Sequence, residues 1–357
     1  MDRIITYYNN IKKSYYINKD SMWDTAIIPT YCNNFISLLN TNNNDLISHT
    51  LENISKTPYA WGYECYSNIT SDDTIKDKSI IIFITLKKLL DEMNIIPIYI
   101  DGTNTLDIEA LFPFIDNKIG FKVDFPEVFD YSYGYILNTS RGKISHRMLY
   151  ALYYVWNISQ YVENIKESSI LEIGGGGGRI PYYASKLGVK KYTIVDIPTT
   201  SIIQAHYNFN IIGENNVALY GENNYNNCFL NLIPAHHFNS INEKYDLICN
   251  FDGLTEYGID TALNYVNRSM NLTKKFLSIN NTLNSYNFTD LYKNNINITV
   301  LLKEICIYRF DIPHFDYYKE ILQFNEKQNI IINPNILKET HTITPATKFK
   351  TFFFNKT

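Results

Sequence analysis

Apolar and polar positions change their rhythm near residue 140, and the two halves predict different architectures. Up to that point the apolar residues recur mostly at helical spacing. Helices are predicted around 21–41 and 43–56, and the run 79–92 fits either a helix or a strand. Ile95 to Ile100 reads as a short strand stopped by the turn pair Asp101-Gly102. Arg141 to Tyr161 then reads as a helix, with Leu149, Leu152, Tyr153 and Trp156 on one face.

From Ser169 onward, short buried strands alternate with helices. Strands are predicted at Ile170–Ile173, Tyr192–Val195, Val217–Tyr220, Tyr245–Asn250 and Lys275–Ile279. Helices are predicted at about Pro181–Leu187, Thr200–Phe209 and Thr261–Met270. This alternation implies a parallel sheet wrapped on both faces. Two later runs, Val300–Phe310 and Phe349–Phe354, are predicted to pair antiparallel at the sheet edge. The expected organisation is a mainly helical N-terminal region, 1–140, serving as lid, substrate platform or dimerisation surface, followed by an α/β domain at 141–357.

Composition narrows the function classes. Hydrophobic residues make up 45% of the 357, enough for a sizeable core. The 32 basic residues against 36 acidic ones give a net charge of -4, and no basic stripe is visible, which argues against nucleic acid as a partner. The five cysteines form no CxxC pair, so neither structural zinc nor a redox dithiol is indicated, and scattered thiols suit a reducing cytoplasm. No apolar run is long enough to span a bilayer. The excess of Asn, Ile, Lys and Tyr is what an AT-rich genome produces.

The strongest chemical signal is Leu171-Glu-Ile-Gly-Gly-Gly-Gly-Gly-Arg179, where a strand ends in glycines and a helix follows. Such a loop lets a ligand approach the backbone and meet the free N–H groups of a helix start. A dinucleotide fingerprint needs a small residue at its last position. The three possible registers put Arg179, Ile180 or Pro181 there. A phosphate-binding P-loop needs a Lys after the glycines, and none follows. The remaining spacing is acid-x-Gly-x-Gly-x-Gly: Glu172, Gly174, Gly176, Gly178. It suits a nucleoside carrying a cationic amino acid tail, with Glu172 toward the ammonium. The next strand ends in Asp196, about 20 residues beyond the loop, where a carboxylate can accept both ribose hydroxyls. Ile197 would follow as an apolar wall for adenine.

On these residues the chain resembles class I S-adenosylmethionine (SAM)-dependent methyltransferases. More narrowly, it resembles the sugar O-methyltransferases of bacterial surface-polysaccharide clusters. The similarity covers roughly 140–285 and rests on Leu171–Arg179, on Tyr192-Thr-Ile-Val-Asp-Ile-Pro198 with Gln204, and on Asp246-Leu-Ile-Cys-Asn-Phe-Asp-Gly-Leu-Thr-Glu256. Ile197 stands where that family has Leu, and Gly253 stands where it has Ser. The resemblance implies a Rossmann-like, seven-stranded, mostly parallel sheet whose last strand is antiparallel. It also implies SAM as cofactor and a sugar or nucleotide sugar as substrate, while the cysteine usage and the AT-rich bias fit the cytoplasm of a bacterium or of the host cell of a virus.

A sugar hydroxyl is a poor nucleophile, so a general base or a divalent metal such as Mg should assist its attack. No metal ligand set is identifiable in the sequence. The fourth predicted strand delivers Asn250 toward the cofactor and Asp252 and Glu256 as candidate bases. His237, beside His236, and His314 are further candidates, although a loop histidine is ordinarily just solvated. Glu222, after the third predicted strand, is a candidate adenine contact. Three rival readings stay open. Aminopropyl transfer from decarboxylated SAM is disfavoured by Gly177, where an acid would be expected. A nucleic-acid methyltransferase is disfavoured by charge. A non-catalytic scaffold acting through 1–140 is the third. Homodimerisation is open as well.

Overall fold

The computed structural model describes residues 1–12, 21–57, 59, 72–126 (side chains from 82), 128, 136–223, 227–282, 284–306 and 317–325. The N-terminal region is helical as expected. It contains α1 (Asp2–Ile11), a π-helical segment (Trp23–Cys32), α2 (Asn33–Asn40), α3 (Asn44–Glu52), α4 (Asp72–Glu92) and α5 (Ile108–Ile119). The ambiguous run 79–92 is the second half of α4. The expected strand Ile95–Ile100 does not form; Tyr99 makes only an isolated bridge to Leu106. Ile96 is 85% exposed, so the segment has no sheet to join. Helix α5 was not foreseen, yet it carries standard end signals. Asp107 caps its start by accepting from Ala110 N, and Gly120 ends it at φ 89°.

A small hairpin, β1 (Leu137–Thr139) and β2 (Gly142–Ile144), precedes α6 (His146–Tyr161). The helix predicted from Arg141 therefore starts five residues later, where Ser145 caps it. The sheet follows: β3 (Ser169–Ile173), α7 (Ile180–Leu187), β4 (Lys191–Asp196), α8 (Pro198–Asn208), β5 (Val217–Leu219), β6 (Leu230–Pro234), β7 (Leu247–Phe251), α9 (Ile259–Ser269), β8 (Lys275–Asn281), β9 (Ile298–Ile305) and β10 (Tyr317–Phe324).

Strand order is β5-β6-β4-β3-β7-β8-β10-β9. The first six are parallel, and β10 runs antiparallel to both β8 and β9. This is the expected Rossmann-like α/β sheet with an antiparallel last strand, but it has eight strands and not seven. The strand the sequence reading missed here is β6, which pairs with β4 and leaves β5, the predicted strand Val217–Tyr220, at the edge. The strand that closes the far edge with β9 is β10, while the run predicted for that role, Phe349–Phe354, lies outside the described residues. The reason β10 was hard to read is that it buries charge. Lys319 pairs with Glu92 and Glu304, and Glu320 with Lys303, so its polar residues do not mark a solvated face.

Strand alternation divides the core in two. Ile170, Tyr192, Ile194, Leu247 and Leu277 point to one face, and they share one apolar cluster with α1, α3, α4, α6, α7 and α8. Leu171, Ile173, Val195, Ile248 and Phe276 point to the other, covered by α9 and the short turns at Leu254, Phe288 and Leu291. The N-terminal helices are thus continuous with the core of the sheet. Arg3 on α1 reinforces this by forking onto both oxygens of Glu222 at 2.9 Å. Among the described residues no helix is long and apolar enough to cross a membrane.

Candidate functional site

The chain leaves β3 toward β4 on one side and later returns to place β7 on the other, so the carboxyl end of β3 is the switch point of the sheet. The glycine loop 174–178 sits there. Gly174, Gly176 and Gly178 have φ of 73°, 52° and 75°, which explains the alternate spacing of glycines. Their surroundings differ. A Cβ on Gly174 would stand 2.3 Å from the Tyr257 hydroxyl, whereas one on Gly176 would meet nothing within 4 Å. The loop is therefore packed at its root and open at its middle.

Two buried carboxyls flank it. Asp196, at the end of β4, accepts from Ile197 N at 2.7 Å and from Gln204 Nε2 at 2.7 Å. The backbone N–H groups of Gly175 and Gly176 also donate to it. Burial pushes its carboxyl up to about 7, against the pull of those donors. Glu172 lies beneath the loop, 1% exposed, and accepts from the Tyr192 hydroxyl at 3.0 Å. Burial pushes it up to about 8, and the nearby charge of Asp196 adds to that rise. The two carboxyls thus share one electrostatic environment, which favours a cationic ligand and disfavours a phosphate. Glu172 has no open path to solvent, so it would reach an ammonium through water or through a small loop movement.

Two side chains on α8 brace this arrangement. Gln204 Nε2 donates to Gly176 O at 3.0 Å as well as to Asp196. Asn208, one turn on, donates to Gly178 O at 2.9 Å. Both are fully buried. Sequence reasoning singled out Gln204 only through a resemblance and passed over Asn208. The available signal was an i, i+4 amide pair on a helix that otherwise points apolar residues inward. Tyr257 was also missed. Its hydroxyl lies over Gly174, its ring packs 5.7 Å from Tyr265, and burial raises its phenol well above the usual value.

The remaining sequence candidates scatter. Asn250, at the end of β7, donates to Ile173 O at 2.6 Å and accepts from Leu254 N and Asn280 Nδ2. It ties the root of the glycine loop to the loop after β7. Asp252 follows in the left-handed region at φ 63°, a strained conformation for a residue other than glycine. Its carboxylate accepts from Asn281 Nδ2 at 2.9 Å and from the Tyr317 hydroxyl at 3.3 Å. Glu256 accepts from the Trp23 indole at 2.8 Å, so it binds the N-terminal segment over the strand ends. Ile197 lies in the same cover, packed against Ile27, Ile28 and Cys32.

Glu222 is occupied by Arg3 and by Leu219 N, and it serves to anchor α1 rather than facing the loop. His237 stacks on Tyr220 with ring centres 4.0 Å apart, and its Nδ1 is 3.0 Å from that hydroxyl. Burial lowers its pKa. His314 lies outside the described residues. Among the described residues no group of three or more His, Cys, Asp or Glu is placed to hold a metal ion, so nothing supports the Mg considered from sequence.

No family profile matches the chain, and no curated protein sequence matches it. Several solved structures are similar in part. The magnesium protoporphyrin IX methyltransferase of Synechocystis, solved with SAM bound, is 10% identical, with 72% of this chain and 100% of that one covered and a TM-score of 0.36. The ribosomal protein L11 methylase of Lactobacillus delbrueckii is 15% identical, covering 51% and 81%, with a TM-score of 0.36. The mitomycin 7-O-methyltransferase is 12% identical, covering 50% of this chain and 57% of that one, with a TM-score of 0.34. With TM-scores this low, the fold assignment rests on the strand order and not on these likenesses.

Proposed function

We propose that this chain is a SAM-dependent O-methyltransferase that acts in the cytoplasm on a sugar hydroxyl, carried by a nucleotide sugar or a surface glycan. The observation that carries the cofactor half is the open backbone at Gly176, set between buried Glu172 and Asp196 at the switch point of the sheet. The acidic pair fits the donor's ammonium and ribose hydroxyls, the bare glycine fits its close approach, and Ile197 supplies an apolar wall. The sugar half is supported by the sequence resemblance and by the absence of a basic excess in the chain.

SAM supplies an electrophilic methyl group on sulfur. The chain's own contribution is positioning, which can lower a barrier by about 7–11 kcal/mol. Asp196 and the Gln204-braced loop hold the donor. Asp252, at the end of β7, is oriented by Asn281 and Tyr317 and takes the acceptor's proton. Glu256 acts through Trp23 as a latch that keeps the N-terminal segment over the site and excludes water. Residues 1–140 thereby serve as a cover for the 141–357 domain.

Calorimetric titration with SAM, decarboxylated SAM and NAD tests the cofactor. Tight binding of SAM alone supports the reading, and preference for decarboxylated SAM would turn it to aminopropyl transfer. Release of S-adenosylhomocysteine with nucleotide sugars but not with RNA supports the substrate class. The reverse pattern overturns it.

A further inference from the structure

Two glycines on different loops face one phenol oxygen. A Cβ on Gly174 would stand 2.3 Å from the Tyr257 hydroxyl, and one on Gly253 would stand 3.1 Å from it. Gly174 is the root of the glycine loop, and Gly253 follows Asp252 just beyond β7. The hydroxyl is therefore wedged between the loop and the turn after β7, at the switch point of the sheet. Gly253 is also where the chain departs from the sugar O-methyltransferases it resembles, which have Ser there. The bare backbone at 253 makes room for the Tyr257 hydroxyl, so this turn still presents a hydroxyl at that place and supplies it from Tyr257.

Everything about Tyr257 except that hydroxyl is tied down. Its N–H donates to Leu254 O at 3.3 Å, its carbonyl accepts from the Tyr286 hydroxyl at 2.8 Å, and its ring packs against Tyr265. The residues around it are held as well, Leu254 N by Asn250 and Glu256 by Trp23. The hydroxyl has no hydrogen-bond partner among the described residues. It is not sealed in the core either, because the residue is only half-buried and its oxygen keeps accessible surface. Burial of the ring, with Asp196 and Glu256 close by, holds the phenol protonated at neutral pH, so it offers a donor and not an anion.

The proposed cofactor needs such a donor. Its amino acid tail ends in an ammonium and a carboxylate. Glu172 and Asp196 suit the ammonium and the ribose but repel the carboxylate. The cation next to the loop in sequence, Arg179, is turned into the other core, with its guanidinium 4–6 Å class contacts made to the Tyr207 ring at 5.3 Å. A neutral O–H can meet the carboxylate without adding charge to an acidic site. We infer that the Tyr257 hydroxyl donates to the carboxylate of the tail and thereby sets the preference for SAM over its decarboxylated form. The inference rests on the proposed function and names the residue behind its cofactor specificity. A site built to hydrogen-bond a group discriminates against the analogue that lacks it, because its own polar atom is then left without that bond.

The test compares ligands with and without that carboxylate. Full-length wild type and Tyr257→Phe are titrated calorimetrically with SAM, S-adenosylhomocysteine, decarboxylated SAM and methylthioadenosine. Tyr257→Phe should weaken the first two about 10- to 100-fold, the range for a hydrogen bond to a charged group, and the last two by less than twofold. A melting curve shows whether the variant folds, and Tyr257→Leu, which removes the same donor, stands in if it does not. Loss spread equally over all the ligands would mark a packing role and overturn the inference, as would SAM binding unchanged by the substitution. Wild type should also bind SAM more tightly than decarboxylated SAM, and equal or reversed affinities overturn the inference without any variant. Wild type that binds SAM, with equal losses in the variant, leaves the proposed function standing. Wild type that takes up none of these ligands sinks the proposed function itself.

Discussion

Replacing Gly176 with Ala separates a ligand cradle from a turn that merely packs. The new Cβ meets no protein atom within 4 Å, so the folded protein bears only the cost of a left-handed alanine at φ 52°. That cost is about 1–2 kcal/mol, partly offset by about 0.4–1 kcal/mol through the stiffer unfolded chain. The net loss of about 1 kcal/mol should lower the melting temperature by roughly 1–2 °C. Ligand binding should fall much further, because the methyl occupies the surface on which SAM would lie. Overpacking of about 1–3 kcal/mol corresponds to roughly a 5- to 150-fold rise in Kd. Gly174→Ala is the contrast. Its Cβ would stand 2.3 Å from the Tyr257 hydroxyl, and the next atoms are 3.6 Å or more away. It should destabilise more than Gly176→Ala, and adding Tyr257→Phe should recover the difference by removing the clashing oxygen. Melting curves and SAM calorimetry on the variants decide the matter. A well-folded Gly176→Ala protein that binds SAM within twofold of wild type would refute the reasoning.

Four other predictions concern the carboxyls, the cover and the anchoring of α1. Asp196 and Glu172 hold protons in the native state at pH values where the unfolded chain has released them, so the ligand-free protein should lose stability as pH rises from about 4 to 8. Melting temperatures of Asp196→Asn should fall less steeply over that range, and equal slopes would contradict the burial argument. A cationic ligand needs those groups ionised, so SAM affinity should rise with pH through 7–8, with proton uptake by buffers visible in calorimetry. Trp23→Phe removes the indole donor to Glu256 and should speed proteolysis of the N-terminal segment while changing the global melting temperature by only a few degrees; unchanged cleavage would reject the latch. Arg3→Met leaves Glu222 without its fork and should cost about 1–3 kcal/mol in urea denaturation, with SAM affinity unaffected. A specific loss of SAM binding would instead restore Glu222 as a cofactor contact.

What the sequence determined by itself is local. The glycine spacing required left-handed backbone at alternate positions, and a run of apolar residues before it required a buried strand. Asp196 followed as the next strand's last residue. These features depend on φ preferences and on period-2 burial, which neighbouring residues fix. The parallel sheet was legible for the same reason, since each βα unit announces itself. Tertiary structure decided which polar residues do which work. Asn250, Glu222 and Glu256 looked alike in the sequence as polar groups near strand ends, yet one braces a loop, one anchors α1 and one holds Trp23. Their partners lie 77, 219 and 233 residues away, and no local pattern encodes a contact of that range. Strand β10 and its buried Glu320 were hidden for the same reason: a charge reads as solvated until the chain supplies Lys303 opposite it.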